Sequence, residues 1–169
     1  MIDSNILNEN PHLFVMKSIS KSYGVPGLRL GVLASGNKSV IQELKKDVAI
    51  WNINSFGEFY MQIAEKYKND YTTALKLFRE ERTRYVSMLD EIDGLRVIPS
   101  QANYVMAEIT KGITALEFTR VLIVKYNILI KNLVAKMEND GRQYIRLAVR
   151  NTQDNDKLVA ALKEVFNKK

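Results

Sequence analysis

Hydrophobic positions change their period several times along the chain, and each change marks an element. Leu13, Phe14, Val15 and Met16 form one short apolar run, and Leu30, Val32, Leu33 and Ala34 form a second. Runs of this length, bounded by polar or glycine residues, predict buried strands over 13–18 and 29–34. Residues 1–12 are polar and predict a loop with at most a short helical turn. From Ser39 the positions Val40, Ile41, Leu44 and Val48 recur at helical spacing, which predicts a helix to about Val48. An Asn-rich interruption follows, carrying Trp51, which fits either an interface or an ordinary core position. Ser55 with Glu58 three residues on has the form of a capping box, and Phe59, Ile63, Ala64 and Tyr67 continue as an apolar face. That face breaks near Asn69 and Asp70 and resumes through Tyr71, Leu75, Phe78, Tyr85, Met88 and Leu89. Two helices, or one long kinked helix, are expected to end at Gly94, a residue suited to the left-handed position past a helix.

Beyond Gly94 the pattern turns to strands, expected over 95–98, 103–109, 128–130 and 143–149. Two helices separate or follow them. One starts near Thr114 with Glu117 as a second capping box, and the other runs from Thr152 to Phe166. A polar loop fills 134–140. The fold class is α/β. No Gly/Ser linker is present, so any domain boundary lies within the long helix.

Composition narrows the possibilities. The chain has 169 residues, 46% hydrophobic and 26% charged, enough for one or two small domains with a real core. No apolar run approaches the roughly 20 residues of a membrane span, and the N-terminal residues lack the pattern of a secretory signal. Cysteine is absent, which excludes disulfides, thiolate metal sites and cysteine nucleophiles and fits a cytoplasmic location. The one histidine, His12, follows Pro11 in a loop and reads as a surface residue, so no metal site is expected. The net charge of +6 is spread among acidic neighbours, as in Arg79, Glu80, Glu81 and Arg82. This reads as a solvated mixed-charge surface, with no nucleic-acid partner and no membrane partner expected.

The candidate chemistry sits between the first two strands. Ser18, Ser20, Lys21 and Arg29 are separated by Gly24, Pro26 and Gly27. A lysine among small residues can form an imine with an aldehyde cofactor, while a hydroxyl and a guanidinium hold that cofactor's phosphate. The order Ser18, Ile19, Ser20, Lys21, then Gly27, Arg29 and Gly31, resembles the pyridoxal-phosphate lysine motif of class I/II (fold type I) aminotransferases. The resemblance implies that Lys21 is the catalytic Schiff-base lysine and that Ser18 and Arg29 bind the phosphate of pyridoxal 5'-phosphate. It covers the C-terminal half of the family's length. The chain is therefore expected to be a C-terminal fragment, inactive alone and weak in binding the cofactor. The implied layout is a remnant of the large domain over 1–54, connecting helices over 55–93 and a small α+β domain over 94–169.

The segment from Pro99 to Tyr104 is similar to the block opening the small domain in the histidinol-phosphate aminotransferase branch. Tyr144, Ile145, Arg146 and Leu147 resemble the family's substrate-carboxylate motif. The resemblance implies that Arg146, Asn103 and Lys131 bind substrate, with Arg146 on the α-carboxylate. Guanidinium suits that task because its planar fork matches a carboxylate in two parallel hydrogen bonds. In that branch an arginine on the substrate phosphate stands where this chain has Lys131. The strand alone also admits a plainer reading, with Arg146 on a solvent face shared with Tyr144 and Ala148. Implied partners are an amino acid, a 2-oxo acid and a second copy in a homodimer. Decarboxylation of the threonine-phosphate type and a non-catalytic interaction module remain as alternatives to transamination.

Overall fold

The computed structural model describes residues 3–137 and 141–167. They form two compact units divided between Thr73 and Ala74. In the first unit a short helix, α1 (Ser4–Glu9), precedes two antiparallel strands, β1 (Phe14–Ser18) and β2 (Gly31–Ser35). Phe14 pairs with Ser35 and Ser18 with Gly31. Between the strands lie a single helical turn, α2 (Ile19–Ser22), and a 3-10 turn, Pro26–Leu28. Helix α3 (Lys38–Asp47) follows, capped by the side chain of Asn37.

Helix α4 (Ser55–Ile63) begins one residue earlier in its capping than the sequence pattern suggests. Asn54, not Ser55, is the cap, and its side-chain oxygen accepts from the Gly57 amide at 2.9 Å. Asparagine is as good a cap as serine, and its amide nitrogen gives it a second use described below. A 3-10 stretch, Ala64–Tyr67, leads into the long helix α5 (Lys68–Asp90), inside which the two units divide. The break at 69–70 is thus a change of helix type at 64–67.

The second unit holds the large hydrophobic core of the described residues. A four-stranded antiparallel sheet runs in the order β3 (Leu95–Ile98), β4 (Tyr104–Ile109), β6 (Gln143–Ala148), β5 (Lys131–Asn132). Helices α6 (Ala115–Tyr126) and α7 (Thr152–Asn167) complete the unit with the C-terminal part of α5. The expected capping box at Thr114 and Glu117 is formed, with both reciprocal hydrogen bonds present. The core joins Tyr85 and Leu89 of α5, Val105 and Ala107 of β4, Phe118 and Leu122 of α6, Ile145 and Leu147 of β6, and Leu158 and Leu162 of α7. Gly94 has φ +103°, and a side chain there would also meet the Phe166 ring at 2.8 Å, so glycine is required twice over.

Three expectations fail for identifiable reasons. The strands β1 and β2 are not buried: Met16 is 82% exposed and Val32 and Leu33 are open as well. They form a two-stranded ribbon, and among the described residues no further strand joins it. Trp51 is 90% exposed, which removes the core reading. The fourth strand of the sheet lies at Lys131–Asn132, not at 128–130. Asn127 takes the left-handed conformation past α6, and Ile130 is buried against the core before pairing begins. Of the loop expected over 134–140, Val134–Lys136 is a 3-10 turn and 138–140 lie outside the described residues.

Two stability predictions arise from the second unit. Tyr85 is fully buried and its hydroxyl has no hydrogen-bond partner among the described residues. Tyr85→Phe removes a desolvated polar atom without changing the ring, so chemical denaturation should show no loss and a gain of up to about 1 kcal/mol. Glu81 accepts hydrogen bonds from Arg84, Asn155 and Thr152. Arg84 above all, with those two donors, lowers its carboxyl from 4.5 to about 2. Between those values the unfolded chain binds the proton and the folded chain does not. The contribution is therefore complete above about pH 4.5 and is lost as pH falls toward 2. Glu81→Gln should cost about 1–3 kcal/mol at neutral pH and flatten stability against pH across that acid window.

Candidate functional site

The lysine turn is built by a hairpin whose connection has been reshaped. The Ile19 amide donates to the Leu30 carbonyl at 3.1 Å, extending the β1–β2 pairing by one bond, and Ser18 and Arg29 flank that bond. The chain then makes the single turn of α2, which carries Lys21. Val25 donates back to the Ser20 carbonyl at 3.0 Å, which closes the loop. Arg29 sits at φ 55°, ψ 36°, a left-handed conformation that costs a non-glycine residue about 1–2 kcal/mol. Ser18 stands where a serine normally caps a helix, yet its hydroxyl makes no cap bond.

Both departures leave chemistry available. The Ser18 hydroxyl, the Lys21 ammonium and the Arg29 guanidinium are exposed, and none has a side-chain partner among the described residues. One loop thus presents a hydroxyl donor, a primary amine and a planar cation. That set can hold a phosphate through Ser18 and Arg29 and present an amine to a carbonyl. A phosphorylated aldehyde fits these donors, and no acid stands among them to oppose its charge.

Residues that the sequence pattern did not single out hold this loop. Asn54 caps α4 with its oxygen and donates its amide to the Leu28 carbonyl at 3.0 Å, next to Arg29. Gly57 lets α4 approach Leu30: a Cβ there would meet the leucine side chain at 3.0 Å. Tyr71, in the first turn of α5, donates its hydroxyl to the Ser22 carbonyl at 2.9 Å and stacks its ring on Tyr23. A half-open cavity of about 510 Å³ adjoins this turn, walled by Ile19, Tyr23, Tyr60, Ile63, Tyr67 and Tyr71.

Asn103, Lys131 and Arg146 lie in the second unit. Arg146, on β6, stands opposite Lys131 of β5 and Met106 of β4. Its exposed guanidinium lies over the Tyr104 ring at 5.1 Å from the centroid. Neither cation has a hydrogen bond or ion pair among the described residues. Like charges opposite one another on neighbouring strands are unfavourable, so the pair is suited to an anion that would neutralise it. The face is not the one expected from alternation alone: Tyr144 is 6% exposed, while Arg146 and Ala148 are open. Tyr144 opposes Glu108 and its hydroxyl accepts from Arg142, so it is covered near the sheet's end.

The Asn103 carbonyl accepts from the Val149 amide at 3.0 Å, fixing the entry to β4 against the exit of β6. Arg82 donates to the Ala102 carbonyl beside it. Asn155, almost completely buried, holds both the amide and the carbonyl of Arg150 and reaches Glu81. Arg150 itself pairs with Asp154, in keeping with a structural role.

Comparison with known proteins gives the family of the chain and its fold. The family model described as aminotransferase class I and II matches residues 5–162. L-serine phosphate decarboxylase of Sulfurospirillum multivorans is 32% identical over 158 residues, covering 92% of this chain and 40% of that protein. CMP-5'-(3-aminopropyl)phosphonate synthase of Streptomyces rubellomurinus is 31% identical over 159 residues, covering 94% of this chain and 25% of that protein. The crystal structure of the histidinol-phosphate aminotransferase from Clostridium acetobutylicum superposes with a TM-score of 0.85 at 27% identity, over 99% of this chain and 50% of that one. The chain thus spans half or less of the length of these relatives, and its fold is that of part of a fold type I pyridoxal-phosphate enzyme. It belongs to the class I and II aminotransferase family.

Proposed function

We propose that this chain supplies the cofactor-lysine loop and the substrate-acid site of a pyridoxal-phosphate enzyme acting on a small phosphorylated amino compound. The observation that carries the reading is the unneutralised pair of Lys131 and Arg146 on adjacent strands. When bound, pyridoxal phosphate supplies an aldehyde that takes up amines and an electron-withdrawing ring that eases bond breaking at Cα. Ser18 and Arg29 hold the phosphate by charge-assisted hydrogen bonds. Lys21 contributes the amine that holds the aldehyde carbon and gives or takes a proton at Cα. Arg146 grips the α-carboxylate with its fork, Lys131 attracts the phosphate as a point charge, and Asn103 offers a neutral amide donor.

Decarboxylation of an O-phospho amino acid is the first reading, supported by the likeness to L-serine phosphate decarboxylase. Transamination between an amino compound and a 2-oxo acid is the second, supported by the match to a histidinol-phosphate aminotransferase structure. The exposed apolar residues Met16, Ile50, Trp51 and Phe56 support a homodimer as part of the same proposal.

Product analysis on the full-length natural protein, loaded with pyridoxal phosphate, tests it. O-phospho-L-serine or O-phospho-L-threonine should release carbon dioxide in step with substrate loss. Glutamate formed from histidinol phosphate and 2-oxoglutarate would favour the second reading. Absence of both products would contradict the proposal. Lys131→Ala should raise KM for the phosphorylated substrate roughly tenfold or more and leave KM for an unphosphorylated analogue nearly unchanged.

A further inference from the structure

We propose that Tyr71 is a positioning residue for Lys21. Its hydroxyl holds the carbonyl next after the lysine, and its ring holds the side chain after that. The proposal rests on the reading of Lys21 as the cofactor lysine.

The need for such a residue follows from the size of α2. It has four residues and closes on one backbone bond, the Tyr23 amide to the Ile19 carbonyl at 3.0 Å, with the Ser22 hydroxyl donating to the Ser18 carbonyl at 3.4 Å. One turn of helix does not persist alone, because fixing its dihedrals costs more than one hydrogen bond returns. Two further bonds stabilise it from outside. Val25 satisfies the Ser20 carbonyl, and Tyr71 satisfies the Ser22 carbonyl at 2.9 Å. The first comes from the same short loop. The second comes from a helix of 23 residues, across 49 positions of sequence. The Tyr23 and Tyr71 rings stack with centroids 4.6 Å apart and planes inclined by 22°. Tyr71 therefore grips the turn at two consecutive residues, Ser22 and Tyr23, directly after Lys21.

The side chain is also in the right state to do this. Tyr71 is half-buried and walls the cavity beside α2, while its hydrogen bond to the Ser22 carbonyl lies at the exposed edge of the turn. A flexible lysine on a fraying turn visits many positions. Fixing the turn concentrates its Nζ where a carbonyl can be met, which raises the rate of reaction without touching the reacting atoms.

The experiment uses this chain with pyridoxal phosphate. Imine formation is followed by its absorbance band and by induced circular dichroism, and the labelled residue is found by borohydride reduction and peptide mapping. Amide hydrogen exchange over 20–25 is measured without cofactor. Tyr71→Phe keeps the ring and loses the hydroxyl; Tyr71→Leu loses both; Lys21→Ala is the control. Tyr71→Phe should slow labelling of Lys21 about three- to tenfold, weaken the dichroism per bound cofactor, and speed exchange over 20–25, with the far-ultraviolet spectrum unchanged. Tyr71→Leu should do all three more strongly. Unchanged exchange and unchanged dichroism in Tyr71→Phe would overturn the positioning role. Equal labelling of Lys21→Ala and the natural chain would instead overturn the reading of Lys21, while the exchange data would still decide whether Tyr71 holds the turn.

Discussion

Pairing of β4 with β6 is the constraint on which the second unit depends. It sets Val105, Ala107, Ile145 and Leu147 inward, where α5, α6 and α7 cover them. Because side chains alternate along a strand, the same register sets Arg146 outward over Tyr104 and opposite Lys131. A slip of one residue would bury the guanidinium and expose two core positions. Core packing and the placing of the cationic pair are thus one decision, and the apolar side of it stabilises the unfavourable proximity of two positive charges.

The first unit solves a different problem with less material. Among its described residues only Leu7, Ser20, Leu30 and Gly57 are buried. Its order comes from directed polar contacts: the Ile19–Leu30 bond, Asn54 bridging α4 to the Leu28 carbonyl, and Tyr71 on Ser22. Those contacts hold Ser18, Lys21 and Arg29 on one loop with their polar groups unspent. The left-handed Arg29 is strain retained on the loop proposed to hold the phosphate. The wide apolar exposure of the same unit accords with a chain that spans half or less of its relatives.

Much of this was legible in the sequence because it is local. The strand runs at 13–16 and 30–34, the capping box at Thr114 and Glu117, Gly94 past a helix end and the order of the lysine motif all depend on neighbours within a few residues. The family and the α/β fold followed from those same motifs. What stayed hidden depends on distant partners. Helical periodicity marked Tyr71 as apolar, but nothing near it shows that its hydroxyl meets Ser22. A short continuous apolar run reads as burial, yet β1 and β2 form a ribbon that the described residues leave open. Asn54 and Ser55 are equivalent as caps by local rules, and only the Leu28 carbonyl favours asparagine. Tyr104 follows Asn103 directly, and its place beneath Arg146 emerges only from the register with Ala148.

The central claim is that one short loop makes Lys21 chemically distinct from the other lysines of a basic chain. Peptide mapping after treatment with limiting pyridoxal phosphate and borohydride tests this most directly. The account predicts that the pyridoxyl group is concentrated on Lys21, and that excess inorganic phosphate, competing for Ser18 and Arg29, reduces that labelling selectively. Label spread over the exposed lysines according to their accessibility, and indifferent to phosphate, would contradict it.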